Sequence, residues 1–330
     1  MKDSIKNKNI RILITGGSGF IGTNLIDSLV NKGYNVLNID KAEPLDYKQN
    51  SLWKKLNIMD FINLEKVVVE FNPHYLVHLA AKADLKGKTL VDYNENIEGV
   101  DNVIKAIKNC RSIKKTVFAS TTLVCKAGYS PKNIRDYSPG NLYGESKKLG
   151  EIRVWDSKLL SKWVIVRPTS IWGPWIVQTS YNLFFKMIMK GNYFNIHRKK
   201  SGIKTFGFVL NLVHQIETLL FNDLNKDVFY LGDKKPYVVS EWADEISLSY
   251  RNKKNIQIPF FILKFLALFG DLLQFFNLTF PLTSFRLMNM TIKYETDIDS
   301  ELFNKEPFTR KEGVELTLKW FKDYYKNNKL

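Results

Sequence analysis

A phenol and an ammonium stand four residues apart at Tyr143 and Lys147, a spacing that puts both side chains on one face of a helix. Tyrosine, with an ordinary pKa of about 10, is a poor base at neutral pH. A lysine cation alongside, together with the positive nicotinamide of an oxidised cofactor, stabilises the phenolate. Such a pair can move a proton while a nicotinamide moves a hydride. The spacing also arises by chance, as a surface tyrosine near an unrelated lysine, so its meaning depends on the elements that position it. Pro139-Gly140-Asn141 supplies a helix start just upstream.

The main positioning element is near the amino terminus, where Thr15-Gly16-Gly17-Ser18-Gly19-Phe20-Ile21-Gly22 follows the apolar run Ile10-Arg11-Ile12-Leu13-Ile14. Glycines at 16, 19 and 22 let the backbone turn sharply out of a strand, approach a pyrophosphate and pack the next helix onto the sheet. N–H groups at that helix start then face the phosphates. A glycine triplet alone also suits a turn without a ligand. Here a helix-like stretch from Thr23 to Asn31 follows, then a stop at Gly33 and a second strand, Asn35 to Ile39, ending in Asp40. That order of strand, turn, helix, strand and terminal acid is the pattern of a dinucleotide-binding unit.

At 330 residues the chain can form one large or two ordinary domains, and its apolar share of 45% is that of a globular protein. A formal net charge of +16 points to an anionic partner: nucleic acid, an acidic membrane surface or a phosphorylated small molecule. The cations are scattered. Lys199-Lys200, Lys234-Lys235 and Lys253-Lys254 are short doublets without interleaved aromatics, which argues for a solvated lysine-rich surface and against a nucleic-acid partner. Cys110 and Cys125 are too few for a disulfide framework and lack the spacing of a metal site, so no metal is expected and a reducing cytoplasm fits. The stretch Met1 to Lys8 has no apolar core for a secretory signal.

Strand-like runs at Ile10 to Ile14, Val36 to Ile39, Tyr75 to Leu79, Lys115 to Ala119 and Trp163 to Val166 alternate with helix-like stretches at Leu64 to Phe71, Asn96 to Lys108 and Leu142 to Leu160. The alternation predicts an α/β fold, a Rossmann-type doubly wound parallel sheet. Past Pro168 the pattern changes to a helix over Asn182 to Met189, a short strand over Lys204 to Val209, a helix over Leu212 to Phe221 and a strand over Val228 to Leu231, after which it is mostly helical. We therefore expect a dinucleotide-binding domain over residues 1–174, rejoined by crossing segments near 204–232, and a smaller, mostly helical substrate domain over 175–330.

Ile256 to Leu282 is the most hydrophobic stretch, interrupted by Lys264, Gly270 and Asp271. Two charges near its middle argue against a spanning helix, which needs about 20 largely uncharged residues. A buried pair of helices closing the second domain is the expectation, with contact at a membrane surface as the alternative.

With these motifs in this order, the chain resembles the extended short-chain dehydrogenase/reductase family over nearly its whole length. Its nucleotide-sugar epimerases, dehydratases and reductases are NAD(P)-dependent. The resemblance implies that Gly16, Gly19, Phe20, Ile21 and Gly22 form the glycine motif, and that Asp40 binds the adenosine ribose and favours NAD over NADP, with Lys41 beside it leaving NADP open. It places Asn57 and Ile58 at the adenine, Leu79, Ala80 and Ala81 beside the cofactor, Asn96 in the helix behind, and Pro168 in the Arg167-Pro168 passage under the nicotinamide. Thr121, after Ser120, is assigned to hydrogen-bonding the reacting oxygen, and Tyr143 and Lys147 match the catalytic pair, with Glu151 in register. Asn182, Lys204 and Arg286 fall where relatives contact a substrate diphosphate, and donors of this kind suit a pyrophosphate. A nucleotide-diphosphate sugar is the implied substrate and a homodimer the implied assembly.

The departures narrow the chemistry. Sugar dehydratases of this family carry an Asp-Glu pair after the catalytic threonine; Thr122 and Leu123 stand there, which disfavours dehydration. Cys125-Lys126 replaces the usual Tyr-Gly near the sugar, and Asn57 replaces an Asp. Because Asn57 should loosen the adenine, the leading expectation is an NAD(P)H-dependent reductase of 4-keto-6-deoxy-sugar nucleotides, with an NAD-dependent 4-epimerase as the alternative. Hydroxysteroid dehydrogenases share an extended apolar carboxyl-terminal region, and non-catalytic relatives that sense cofactor or associate with RNA are a further class. Those non-catalytic relatives often lose the tyrosine or the lysine, and this chain keeps both.

Overall fold

A computed structural model describes residues 7–177, 179–197, 201–276, 278, 280, 282–302 and 306–327. The amino-terminal residues 1–6 and the Lys199-Lys200 doublet lie outside them. Along the chain the first elements are β1 (Arg11–Thr15), α1 (Phe20–Asn31), β2 (Asn35–Asp40), β3 (Trp53–Lys55), α2 (Phe61–Phe71), β4 (Tyr75–His78), α3 (Glu98–Lys108), β5 (Lys115–Ala119), α4 (Leu142–Asp156) and β6 (Lys162–Pro168). Then come β7 (Ser170–Trp172), α5 (Ser180–Lys190), β8 (Phe194–Ile196), β9 (Ile203–Lys204), β10 (Phe206–Phe208), α6 (Val209–Phe221), β11 (Val228–Leu231), β12 (Tyr237–Val238) and α7 (Val239–Arg251). The last are β13 (Ile256–Ile258), α8 (Phe260–Phe275), α9 (Ser284–Thr291) and α10 (Arg310–Asn327).

The chain divides into two compact units, the first built from described residues of 1–171, 209–232 and 298–307, the second from those of 172–208, 233–297 and 308–330. In the first, seven strands form one sheet in the order β11-β6-β5-β4-β1-β2-β3, and every neighbouring pair is parallel. A parallel sheet is covered on both faces, which is why Ile12, Leu13, Ile14, Leu76, Val77 and Val117 are fully buried in unbroken apolar runs. Strand order reverses between β1 and β4, and in such sheets ligands bind outside the carboxyl ends of the strands at that reversal.

Local chemistry sets the helix limits. α2 starts where the Asp60 carboxylate accepts the Asn63 N–H at 3.3 Å and stops at Asn72, which takes the left-handed conformation with φ of 50°. α4 is capped by Asn141, whose side-chain oxygen accepts the Gly144 N–H at 2.8 Å. It ends at Asp156, short of the expected Leu160, because Lys158 turns to φ of 51°. The strand expected over Lys204 to Val209 is two strands, β9 and β10, and Val209 already opens α6. β3, with Lys54 and Lys55 exposed on the sheet edge, has no apolar alternation and is not legible in the sequence.

The second unit centres on aromatic side chains. Trp172 and Trp242 are almost fully buried, their rings 5.1 Å apart, and Phe185, Phe206 and Phe208 pack around them. The Ile256 to Leu282 stretch corrects the expectation of a buried helix pair. It contributes one long helix, α8, of which Leu263 and Ala267 are buried with Ile196, Leu282 and Leu287, while Phe261 and Phe265 are 74% and 72% exposed. A helix without a partner on its second side buries only one stripe.

Candidate active site

Strand ends and one helix of the first unit carry most of the residues singled out by the sequence. β1 leads into the glycine turn, and Gly16 takes φ of 76°, a left-handed conformation that favours glycine. A Cβ there would fall 2.4 Å from the Ala80 amide nitrogen, so the turn lies directly against the segment leaving β4. The Leu79 N–H donates to the Thr15 carbonyl at 2.9 Å and the Gly16 N–H to the Ile39 carbonyl at 2.8 Å, tying the turn to strands on both sides.

α1 begins at Gly19 with no side-chain cap and no acidic residue in its first turn. Its orphan N–H groups are therefore left for an anion. At the end of β2, the Asp40 carboxylate accepts the Ser18 N–H at 3.1 Å and the Ala42 N–H at 3.0 Å. Burial raises its pKa from its ordinary value, opposed by those hydrogen bonds. Lys41 is ion-paired with Glu95. A bare helix start, a glycine turn pressed against the segment leaving β4 and a carboxylate on the neighbouring strand fit a dinucleotide, for which Gly16 to Gly22 would face the pyrophosphate and Asp40 the ribose.

Thr121 and Tyr143 meet beyond β5, the Tyr143 hydroxyl facing the Thr121 side chain, whose Oγ1 accepts the Leu123 N–H at 3.2 Å. Gly144 makes the approach feasible, since a Cβ there would lie 2.2 Å from the Leu123 carbonyl oxygen. Burial pushes the Tyr143 pKa up to about 12, with the polar Thr121 side chain opposing. One turn along α4, Lys147 is 4% exposed. Burial pulls it down to about 8, with Glu151 pulling the other way.

Beneath them lies a buried network. Arg167 donates from Nε to Glu151 Oε1 at 2.9 Å and from Nη2 to Oε2 at 2.6 Å; its Nη1 donates to the Tyr230 hydroxyl at 2.8 Å and its Nη2 also to the Ile134 carbonyl at 2.7 Å. Glu151 also accepts the hydroxyls of Ser120 and Tyr137. His78, at the end of β4, pairs its Nδ1 with the Thr15 hydroxyl at 2.7 Å, and burial, then the Lys147 charge, push it down to about 3, so it is neutral. A cavity of about 10 Å³, the size of one water, lies among His78, Ser120, Lys147 and Glu151.

The remaining site expectations fall as follows. Asn57 is exposed, its Oδ1 accepting the Met59 N–H at 3.0 Å; Ile58 is buried in the core. Leu79, Ala80 and Ala81 are half-buried where β4 ends, and Pro168 closes β6 opposite Leu231. Asn96, fully buried, clamps two segments: its Oδ1 accepts the Lys82 N–H at 2.8 Å while its Nδ2 donates to the Lys82 carbonyl and the Ser146 hydroxyl. In the second unit, Asn182 donates to the Val177 carbonyl at 3.1 Å and shares a hydrogen bond with Tyr325, and burial lowers the Lys204 pKa. Arg286 stands in α9, but its side chain lies outside the described residues. Tyr137, Tyr230 and Gly144 were not anticipated; only the Tyr143-Gly144 adjacency offered a signal.

The sheet order and these motifs define a class, the Rossmann-type proteins of the extended short-chain dehydrogenase/reductase kind. More particularly, the chain belongs to the NAD dependent epimerase/dehydratase family, whose model matches residues 12–232. It is 26% identical over 259 residues, 76% of each chain, to N-acetyl-alpha-D-glucosaminyl-diphospho-ditrans,octacis-undecaprenol 4-epimerase of Escherichia coli O157:H7. Its fold is similar to UDP-glucose 4-epimerase of Thermotoga maritima, solved with UDP-glucose, at a TM-score of 0.73 and 20% identity, covering 96% of this chain and 99% of that one. It is similar also to UDP-glucuronic acid 4-epimerase of Bacillus cereus in complex with NAD, at a TM-score of 0.72 and 20% identity over 96% and 98% of the two chains.

Proposed function

We propose that this enzyme is an NAD-dependent 4-epimerase of a diphosphate-linked hexose. The observation that carries the reading is the Tyr143 hydroxyl facing the Thr121 side chain, one helical turn from the buried Lys147. Tyr143 takes the proton of the C4 hydroxyl as that carbon is oxidised, and returns one when the rotated 4-keto sugar is reduced on its opposite face. Thr121 hydrogen-bonds the same oxygen throughout. The Lys147 cation steadies the phenolate and Asp40 holds the adenosine ribose. The nicotinamide, when bound, supplies the hydride acceptor and donor.

Relatives named as 4-epimerases favour this over the reductase expected from Asn57. For the diphosphate of the substrate we assign Asn182, Lys204 and Arg286, and for the carrier a nucleotide. Purified full-length protein incubated with UDP-glucose, UDP-N-acetylglucosamine and UDP-glucuronic acid, without added NADH, is expected to give a product of equal mass and inverted C4. Turnover only with stoichiometric NADH, applied to a 4-keto-6-deoxy-sugar nucleotide, would overturn the epimerase in favour of the reductase.

A further inference from the structure

The reaction proposed above uses nothing of α8, whose surface carries a separate reading. The helix has 16 residues, about 24 Å at the α-helical rise. Phe261, Phe265, Leu268 and Leu272 recur on one side of it and are 74%, 72%, 56% and 55% exposed; Ile262 and Phe269 widen the stripe. Exposed apolar surface arranged continuously, rather than scattered singly, marks a place of contact.

Cations border it. Lys264, exposed, is three residues from Phe261 and four from Leu268, which makes it their neighbour on the helix surface. Lys253 and Lys254 are exposed just before β13, in which Ile256 is 72% exposed. Residues 251–293 hold six lysines and arginines against a single acid, Asp271, and that carboxylate accepts the Ser284 N–H at 3.0 Å.

We propose that α8 docks the protein on an anionic bilayer surface, lying in the interface with its phenylalanines and leucines among the upper acyl carbons and the neighbouring lysines at the lipid phosphates. Among the described residues no helix is long and apolar enough to cross a membrane, so α8 lies on the surface instead of spanning it. Charge selects the bilayer over a second copy of the chain. A two-fold interface through this face would set the cationic patch against itself, whereas anionic lipid neutralises it, each lysine near the surface strengthening binding about fivefold. The docking is independent of the sugar chemistry and stands or falls separately from it.

Flotation of the full chain with vesicles tests the proposal, using phosphatidylcholine mixed with phosphatidylglycerol against phosphatidylcholine alone. The protein is expected to float with the mixed vesicles only. Phe265→Ser with Leu268→Ser should abolish flotation while the thermal midpoint and NAD binding hold. Lys253→Gln with Lys254→Gln, outside the helix, should weaken binding about tenfold or more, which keeps the test sound if the serine variant misfolds. Failure to float with mixed vesicles overturns the proposal, as does equal flotation with both lipids or an unchanged affinity of the lysine variant. A lipid-free dimer, dissociated by the serine pair in sedimentation equilibrium, would also overturn it by making the face an interface between copies.

Discussion

Helix α4 is rich in polar residues and turns Ser146, Lys147 and Glu151 into the protein, whereas α8, far more apolar, turns Phe261, Phe265 and Leu268 out of it. Burying a lysine and a glutamate costs free energy unless each finds partners. Glu151 has Arg167, Ser120 and Tyr137; Lys147 has the Glu151 charge and shifts its pKa downward instead. Groups kept buried against that cost are commonly kept for their chemistry. Exposing phenylalanine costs too, and a row of them points to a second surface rather than to a second reaction. One helix spends stability on function inside the fold; the other holds it in reserve for an encounter outside.

The largest effect should come from the buried side of this contrast. Tyr143→Phe removes the proton carrier while leaving the ring, so kcat should fall by about two to four orders of magnitude with NAD binding and fold intact. Undiminished turnover would leave α4 with no catalytic claim. Next in size is Arg167→Met, which takes the ion-pair partner from the buried Glu151 and should lower unfolding stability by about 3–5 kcal/mol in urea titration. A loss below about 1 kcal/mol, the range of surface pairs, would show that the pair does not hold the floor of the site.

What was legible followed from how local each signal is. The glycine turn, Asp40 and the Tyr143–Lys147 spacing are read within short windows, and the strands β1, β2, β4, β5 and β6 come from apolar runs of the parallel-sheet kind. The partners of Glu151 are not local. Arg167 and Tyr230 lie on β6 and β11, and only the sheet pairing of those strands brings them together. The role of Gly144 depends on the Leu123 carbonyl, a contact between a helix start and a loop that no periodicity encodes. Nor does the apolar content of α8 say which face is covered, because that is decided by what packs against it.

A pH profile sharpens the α4 side. The Lys147 ammonium, held down to about 8 by burial, is lost as pH rises through that value, so kcat/KM should fall on the alkaline side, about tenfold per pH unit once past it. The sign for stability is opposite. A lysine depressed in the folded state binds fewer protons than the unfolded chain between about pH 8 and the ordinary lysine range, so its penalty is relieved as pH rises across that window. Lys147→Met should remove the alkaline limb from the residual activity. A wild-type profile flat to about pH 9 would mean that the cation is not needed.

The smallest effect is expected on the exposed face of α8, and it tests whether that stripe takes part in the fold at all. Leu263 is fully buried among Ala267, Leu282 and Leu287, and Leu263→Ala should cost about 2–5 kcal/mol as transfer and cavity terms combine. Phe265, two residues along and 72% exposed, loses little burial on substitution, so Phe265→Ser should change stability by no more than about 0.5 kcal/mol, like other surface changes away from caps and cores. Measured side by side in urea, the two substitutions compare opposite faces of one helix. A large loss from Phe265→Ser would mean that this side is covered within the protein itself, and the contrast between the two helices would collapse; near-neutrality leaves the stripe free for a surface beyond the chain.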